Sequence, residues 1–343
     1  MKPHSQPTLV DIARAAGVGL GTASRVINGG ENVSPATLKK VEAAIRKLQY
    51  KPNHTARMLR GGRTKMVGLL VPSIADSFFS SCAEAAEEVA RRNDSLLIVA
   101  VSNNDPAVEM QKLSVLMRQR PDGLLVVPAD AESRRFRTFV RKSSVPIVTI
   151  DRPVPGCPGV LIDNYAAARK AVAHLVEHGY RRILCYTGEP HLYTIRERQR
   201  GYCDEVKQAG LIAYVDSTFN EDLANAESTL AGFLRSRTAP DAIFTLKNSA
   251  TIAAFQILQR LEIAVPTKTA LFGFDDFLLA DTVQPSISVV QQPTYDVGRS
   301  AAELLFEWLQ TTVIRAARRK PASSKPVTLQ CNLVLRKSCG CHV

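Results

Sequence analysis

The stretch TLVDIARAAGVGLGTASRVIN, residues 8–28, has the residue types and spacing to recognise a nucleic-acid groove. Thr8 is a helix N-cap by type, and Asp11 three residues on sits where the helix dipole favours a negative charge. Leu9, Ile12, Ala13 and Ala16 then share one helical face. Gly17 can end that helix in the left-handed conformation. A second helix follows from about Gly21 to Asn28. Two short helices joined by a glycine-containing turn form a helix-turn-helix, whose second helix fits a DNA major groove. A second set of chemistry-bearing residues follows apolar runs: Pro72-Ser73, Asp151-Arg152, Gly188-Glu189 and Asp275-Asp276. Paired oxygens with aromatic faces nearby favour a polyhydroxylated ligand.

The elements that position these residues differ along the chain. Ser34-Pro35 start a third helix, with Ser as cap and Pro at the first position. Leu38, Val41, Ala44, Ile45 and Leu48 line one face of it. Asn53–Arg60 can form two further turns that need a partner to be stable, and Gly61-Gly62 break the chain. From Met66 onward short apolar runs alternate with amphipathic helices. The runs are 66–71, 96–101, 123–127, 145–150, 183–187, 242–246, 269–274 and 287–290. The helices include Ala83–Arg92, Glu109–Gln119, Ala166–His178 and Ala250–Leu261. Strand–helix alternation predicts an α/β core of parallel sheets covered on both faces. Eight strands exceed one such half, so two doubly wound lobes are expected behind a small all-α headpiece. Ligands bind outside the carboxyl ends of such strands.

Charge separates the two parts. Residues 1–65 hold 12 Lys/Arg against 3 Asp/Glu, whereas the rest of the chain holds 32 against 29, within a total net charge of +12. A polyanion partner for the first segment is the natural inference. No apolar run approaches the roughly 18 residues that span a bilayer, and the N-terminus lacks an apolar export region. Seven scattered cysteines suit reduced thiols and a cytoplasmic protein. Phosphate-loop, zinc-protease and nucleophile-elbow motifs are not found, so no enzyme activity is expected. Cys339 and Cys341 beside His342 make a weak signal for a metal tail, and neither metal nor cofactor is expected.

Over nearly its whole length the chain resembles the LacI/GalR family of bacterial transcription regulators. The resemblance rests on TLVDIARAAGV…TASRVIN, YKPNHTARMLR, VGLLVPSIADSFF and LFGFDDFLLADTVQPSISVVQQPTYDVG. It implies a helix-turn-helix headpiece (1–52), a hinge helix and linker (53–65) and a periplasmic-binding-protein-like core (66–343) of two lobes. Crossovers between the lobes are expected near 163–165, 291–293 and 323–326. It also implies a homodimer that binds a near-palindromic double-stranded operator and is switched by a small sugar-like effector. The rival reading is a sugar-binding receptor of a transport system, which would carry an export signal and no basic headpiece.

By the same resemblance, Leu20, Gly21 and Arg25 face bases, while Thr22, Ser24 and Asn28 meet phosphate or backbone. Arg25 suits guanine, whose O6 and N7 its fork meets together. In the hinge, Asn53, Ala56, Arg57 and Leu59 contact DNA, with Leu59 wedged into the minor groove. In the core, Phe78, Phe79, Asp151, Arg198 and Asp275 contact effector, with Arg196, Phe219 and Gln292 as second-tier candidates. Lys247-Asn248 replaces the Asn-Asp of many sugar-binding members. The added cation points toward an acidic or phosphorylated sugar. The tail lacks leucine heptads, which favours a dimer over a tetramer. The sign of the effector response is not written in the chain.

Overall fold

The computed structural model describes residues 7–27, 33–50, 63–220, 222–315 and 326–341. The expected DNA contacts Asn28, Asn53, Ala56, Arg57 and Leu59 fall outside these residues. The chain divides into two compact units, 1–64 and 65–343.

In the first unit, α1 (Leu9–Ala16), α2 (Leu20–Ile27) and α3 (Pro35–Leu48) enclose a core of Ile12, Ala13, Ala16, Ala23, Val41 and Ala44. Four of these six are alanines, so the helices approach closely around a small volume. A capping box starts α1. The Thr8 hydroxyl accepts from the Asp11 amide at 3.3 Å, and the Thr8 amide donates to the Asp11 carboxylate at 2.9 Å. Gly17, at φ 64°, ends the helix. Helix α2 begins one residue before the expected Gly21, because the Gly19 carbonyl already accepts from the Thr22 and Ala23 amides. Leu38, expected on the packed face of α3, is 40% exposed, since it lies in the first turn beyond the reach of α1 and α2. Substituting Thr8 by Ala removes the hydroxyl half of the box. We expect a loss of about 1 kcal/mol of local stability, read as roughly fivefold faster amide exchange across α1 in the intact protein.

The second unit holds two six-stranded sheets. The first contains β1 (Met66–Val71), β2 (Leu96–Val101), β3 (Gly123–Val126), β4 (Ile147–Ile150), β5 (Gly159–Ile162) and β11 (Val327–Leu329), in the order β11-β5-β4-β3-β1-β2. The second contains β6 (Ile183–Tyr186), β7 (Tyr214–Asp216), β8 (Ala242–Thr245), β9 (Ala270–Phe274), β10 (Ser288–Gln291) and β12 (Asn332–Val334), in the order β12-β10-β9-β8-β6-β7. Every pairing is parallel except that of β12 with β10. The strands alternate between two apolar clusters. Val67, Leu69 and Val71 of β1 join one, and Leu70 joins the other, as expected of a sheet covered on both faces. Among the described residues no helix is long and apolar enough to cross a membrane.

Helices α4 (Ser77–Arg92), α5 (Pro106–Arg118), α6 (Arg134–Lys142) and α11 (Thr294–Arg315) serve the first lobe. Helices α7 (Asn164–Glu177), α8 (Tyr193–Gln208), α9 (Leu223–Arg235) and α10 (Asn248–Arg260) serve the second. Helices α4 and α11 pack closely enough that a Cβ on Gly298 would lie 2.2 Å from the Cys82 carbonyl oxygen, so only glycine fits there. The chain passes between the sheets at residue 163, at 292–293 and at 330–331. The last passage follows the expected 323–326, because a short strand, β11, first pairs with β5 before the chain leaves the first lobe.

Candidate functional site

A cleft of about 520 Å³ lies where the carboxyl ends of the two sheets face each other. It sits at the switch points of the strand order, beside β1 and β3 in one lobe and β6 and β8 in the other. Phe78, Phe79, Asp151, Arg198, Lys247, Asp275 and Gln292, all expected from the sequence, line it together. Phe78 and Phe79 reach it because α4 starts six residues earlier than the expected Ala83. Asp76 caps that helix by accepting from the Phe78 amide at 2.9 Å, placing both rings in the first turn. The rings meet edge-to-face with centroids 5.0 Å apart.

Asp151 and Asp275 hold equivalent places. Each follows the fourth strand of its lobe in sequence order, β4 or β9, and each adopts a left-handed conformation, at φ 69° and 72°. Such a φ is uncommon outside glycine and tolerated best by Asn and Asp. It turns each carboxylate back over its strand end, and residues held this way concentrate at ligand sites.

Arg198, on α8 and 5% exposed, is fixed on every side. Its Nε donates to Asn164 Oδ1 and its Nη1 to the Leu246 carbonyl, both at 2.7 Å. Nη1 also lies 3.5 Å from Asp275, and the guanidinium stacks 3.7 Å above the Phe274 ring. The Gln292 amide donates to the other Asp275 oxygen. Opposite, Arg152 donates to the Pro128 carbonyl at 2.6 Å and lies 3.7 Å from Asp151. Lys247 donates to Glu189 at 2.7 Å. Each of the three cations of the cleft therefore has a carboxylate beside it.

Burial pushes the Asp151 carboxyl above the usual carboxylate range, against the pull of Arg152 and Arg198. Burial raises Asp76 as well, opposed by the Phe78 amide and reinforced by the Asp275 charge. Burial also works against ionisation of Glu189, but the Lys247 hydrogen bond and charge outweigh it and hold that carboxyl low. Among the described residues, four buried side-chain polar atoms lack a hydrogen-bond partner. Three of them, Asn104 Oδ1, Arg152 Nε and Gln292 Oε1, belong to residues of this cleft. Buried polar atoms are normally satisfied, so their concentration here marks where a ligand's donors and acceptors are to go.

Two expected residues stand elsewhere. Arg196, two residues before Arg198 and so about 200° around the helix from it, opens toward a wider neighbouring cavity of about 730 Å³ and pairs with Glu132 of the first lobe at 2.7 Å. Phe219 is buried under the second lobe, its ring centroid 5.6 Å from that of Tyr186, and does not line the cleft. Asp76, Asn103, Asn104 and Thr194 line the cleft without having been expected. Two consecutive asparagines, one serine after the apolar run LLIVAV, are the available signal.

A buried carboxyl supports the Arg152 side. Glu109 on α5 accepts from the Ala129 amide at 2.5 Å, and burial pushes it up to about 7 from its ordinary 4.5. The unfolded chain ionises this group near its ordinary value, whereas the folded chain keeps the proton to about 7. Its contribution to stability therefore falls as pH rises through that window and is flat above it. Substituting Glu109 by Gln keeps the acceptor and removes the titration. We expect the variant to gain about 2 kcal/mol relative to the parent between pH 5 and pH 8, measured by urea unfolding at both pH values.

In the headpiece, α2 presents Leu20, 46% exposed, with Gly21 and Arg25 also exposed, while Thr22 and Ser24 are half-buried beside the buried Ala23. Its outer face thus offers one long cation and one apolar side chain. Asp11, on α1, is held by Thr8 and Arg14.

Comparisons with known proteins agree with this division. Residues 8–53 match the family described as bacterial regulatory proteins, lacI family, and residues 172–339 match the periplasmic binding protein-like domain. The ribose operon repressor of Escherichia coli (strain K12) is 30% identical over 319 residues, 91% of this chain and 96% of that protein. Catabolite control protein A of Staphylococcus xylosus is 30% identical over 304 residues, 88% of this chain and 92% of that one. Among solved structures, the transcriptional regulator CelR in complex with cellobiose shares 28% identity with a TM-score of 0.69, over 97% of this chain and 99% of that one. The Lac repressor dimer bound to operator shares the fold at a TM-score of 0.84 and 22% identity, over 98% and 99%. With a basic helix-turn-helix ahead of a two-lobed cleft, and with relatives matched along almost their full length, the chain belongs to the LacI family of bacterial transcriptional regulators.

Proposed function

We propose that this regulator is a homodimeric repressor of a near-palindromic operator, and that a neutral sugar or similar polyhydroxylated molecule controls its DNA affinity. The observation that carries the effector class is the pairing of charges in the cleft. Lys247, the cation that suggested an acidic or phosphorylated ligand, is matched by Glu189 at 2.7 Å, Arg198 by Asp275 and Arg152 by Asp151. An anionic ligand would have to compete with these carboxylates, whereas hydroxyl groups can bridge them. The Phe78–Phe79 pair offers ring faces for the apolar side of a sugar. The names of relatives point the same way, one being a ribose operon repressor and another solved with cellobiose.

In this mechanism the effector changes how the two lobes close, and the hinge transmits the change to DNA. Arg196–Glu132 and Asn104–Glu189, at 2.7 and 3.4 Å, already tie one lobe to the other. Leu59 enters the minor groove when two hinge segments pair, with Asn53, Ala56 and Arg57 contacting DNA beside it, while Leu20, Gly21 and Arg25 face bases in the major groove and Thr22 and Ser24 meet phosphate or backbone. Operator and effector must alter each other's affinity by one common factor. The transport-receptor reading is disfavoured by the helix-turn-helix unit. A thermal-shift panel of neutral, acidic and phosphorylated sugars tests the effector class, since a ligand of the folded state raises its melting temperature. Neutral sugars are expected to give the shift and to change operator affinity in a titration. A shift confined to acidic or phosphorylated sugars overturns the assignment.

A further inference from the structure

Far from the cleft, the chain's end returns to the second lobe. Helix α7 starts at the first crossover, and His174 lies ten residues along it, about 15 Å from that end. His178 follows one turn later as the C-cap, so both imidazoles point to one side, with ring centroids 4.4 Å apart. Against them the turn Lys337–Cys339 and the two residues after it bring two thiols, Cys339 and Cys341. Gly340 between the cysteines has φ 94°, and a Cβ there would lie 2.9 Å from the Tyr180 hydroxyl, so the reversal that brings both sulfurs together requires glycine.

The distances within this cluster are informative. Cys339 Sγ lies 3.3 Å from His174 Nε2 and 3.5 Å from Cys341 Sγ. Cys341 Sγ lies 3.6 Å from His174 Nε2 and 3.4 Å from His178 Nε2. The donor atoms of His174, His178 and Cys341 all fall within 4.8 Å of one another. A tetrahedral zinc centre, with Zn–S of about 2.3 Å and Zn–N of about 2.0–2.1 Å, has edges of about 3.3–3.8 Å. The four sulfur–nitrogen and sulfur–sulfur separations above lie on such edges, and Cys339 Sγ has only to draw toward His178 to complete the set.

We propose that His174, His178, Cys339 and Cys341 form a closed Cys2His2 site for a zinc-class divalent ion. The ion would fasten the C-terminal segment to the far end of α7. Two thiolates and two imidazoles select a borderline-soft ion over calcium or magnesium. The surroundings suit ligands of this kind. The Ser288 hydroxyl lies 3.1 Å from Cys339 Sγ as a donor, the Tyr180 hydroxyl donates to the Cys339 carbonyl, and the His174 ring packs edge-on against Phe272. Outer partners of this sort hold first ligands in place. With four protein ligands no position is left for substrate, so the role is structural.

The test uses the full chain purified under reducing conditions without chelator. Mass spectrometry of bound metals should find about one zinc per chain, falling at least about tenfold in Cys341→Ser and in His178→Gln. Cys203→Ser, which removes a half-buried thiol on α8, should keep the metal. Stripped wild-type protein titrated with Co2+ should develop the visible bands of a tetrahedral ion and a thiolate charge-transfer band. This readout stands even if a variant folds poorly. The proposal is overturned if the wild-type chain with free thiols yields neither metal nor those bands. A Cys339–Cys341 disulfide in the purified protein, or equal metal in all variants, overturns it too.

Discussion

Arg198→Ala is expected to abolish the effector response while leaving operator binding in place. Arg198 is buried and holds four neighbours at once: Asn164, the Leu246 carbonyl, Asp275 and the Phe274 ring. Alanine leaves the Asp275 carboxylate with the Gln292 amide alone and strips the Leu246 carbonyl of its donor. Removing one member of a buried charged pair typically costs about 3–5 kcal/mol. At the cleft that corresponds to an effector affinity at least about 100-fold weaker. The headpiece is a separate compact unit, so its DNA-facing helix is untouched. Calorimetry with the effector and an operator titration with and without it provide the check. A response of normal size would remove Arg198 from the site. Asp275→Asn, which keeps the size and one hydrogen bond, should give a weaker version of the same loss.

The second large effect is expected at Arg25. The exposed face of α2 carries little else that can distinguish bases, since Gly21 has no side chain and Leu20 offers only apolar contact. A bidentate arginine–guanine pair is worth about 1–3 kcal/mol of discrimination. Arg25→Ala should therefore lower operator affinity by roughly 5- to 150-fold at fixed salt. Binding to random duplex should fall far less, because that affinity comes from many phosphate contacts. Fluorescence anisotropy with operator and random competitor at one ionic strength measures both. An unchanged ratio would mean that another residue reads the bases.

The sequence displays the elements whose signals are local. Thr8, Asp11 and Gly17 mark the ends of α1 by type alone, and the structure forms both bonds of the cap. The central strands are runs of four to six residues buried on both faces, so they stand out as apolar blocks. The strands that do not stand out as such blocks are β5, β7, β11 and β12, each of three or four residues. β5 follows the Pro-rich PVPGCP, and β7, β11 and β12 are partly exposed edges without a full apolar block. In the cleft, Asp151, Arg198 and Asp275 were visible through family motifs. That Lys247 is matched by Glu189 was not, because 58 residues separate them and only the fold brings them together. The cysteine–histidine cluster shows the same limit. Its two halves lie 161 or more residues apart, so Cys339 and Cys341 look in the sequence like an isolated tail.

The three passages between the lobes constrain what a bound molecule can set in motion. The Asp163 amide donates to the Leu329 carbonyl at 3.0 Å, and the Gln330 side chain reaches the Asp163 carboxylate at 3.3 Å, so the first and third are laced together. A single strap would let one half swivel freely about the other. Three short straps, two of them stitched, resist twisting and leave bending about their common line as the easy motion. A message received in the cleft then leaves as a change in one angle. Lengthening any single strap should blur that angle before it weakens the grip on the ligand.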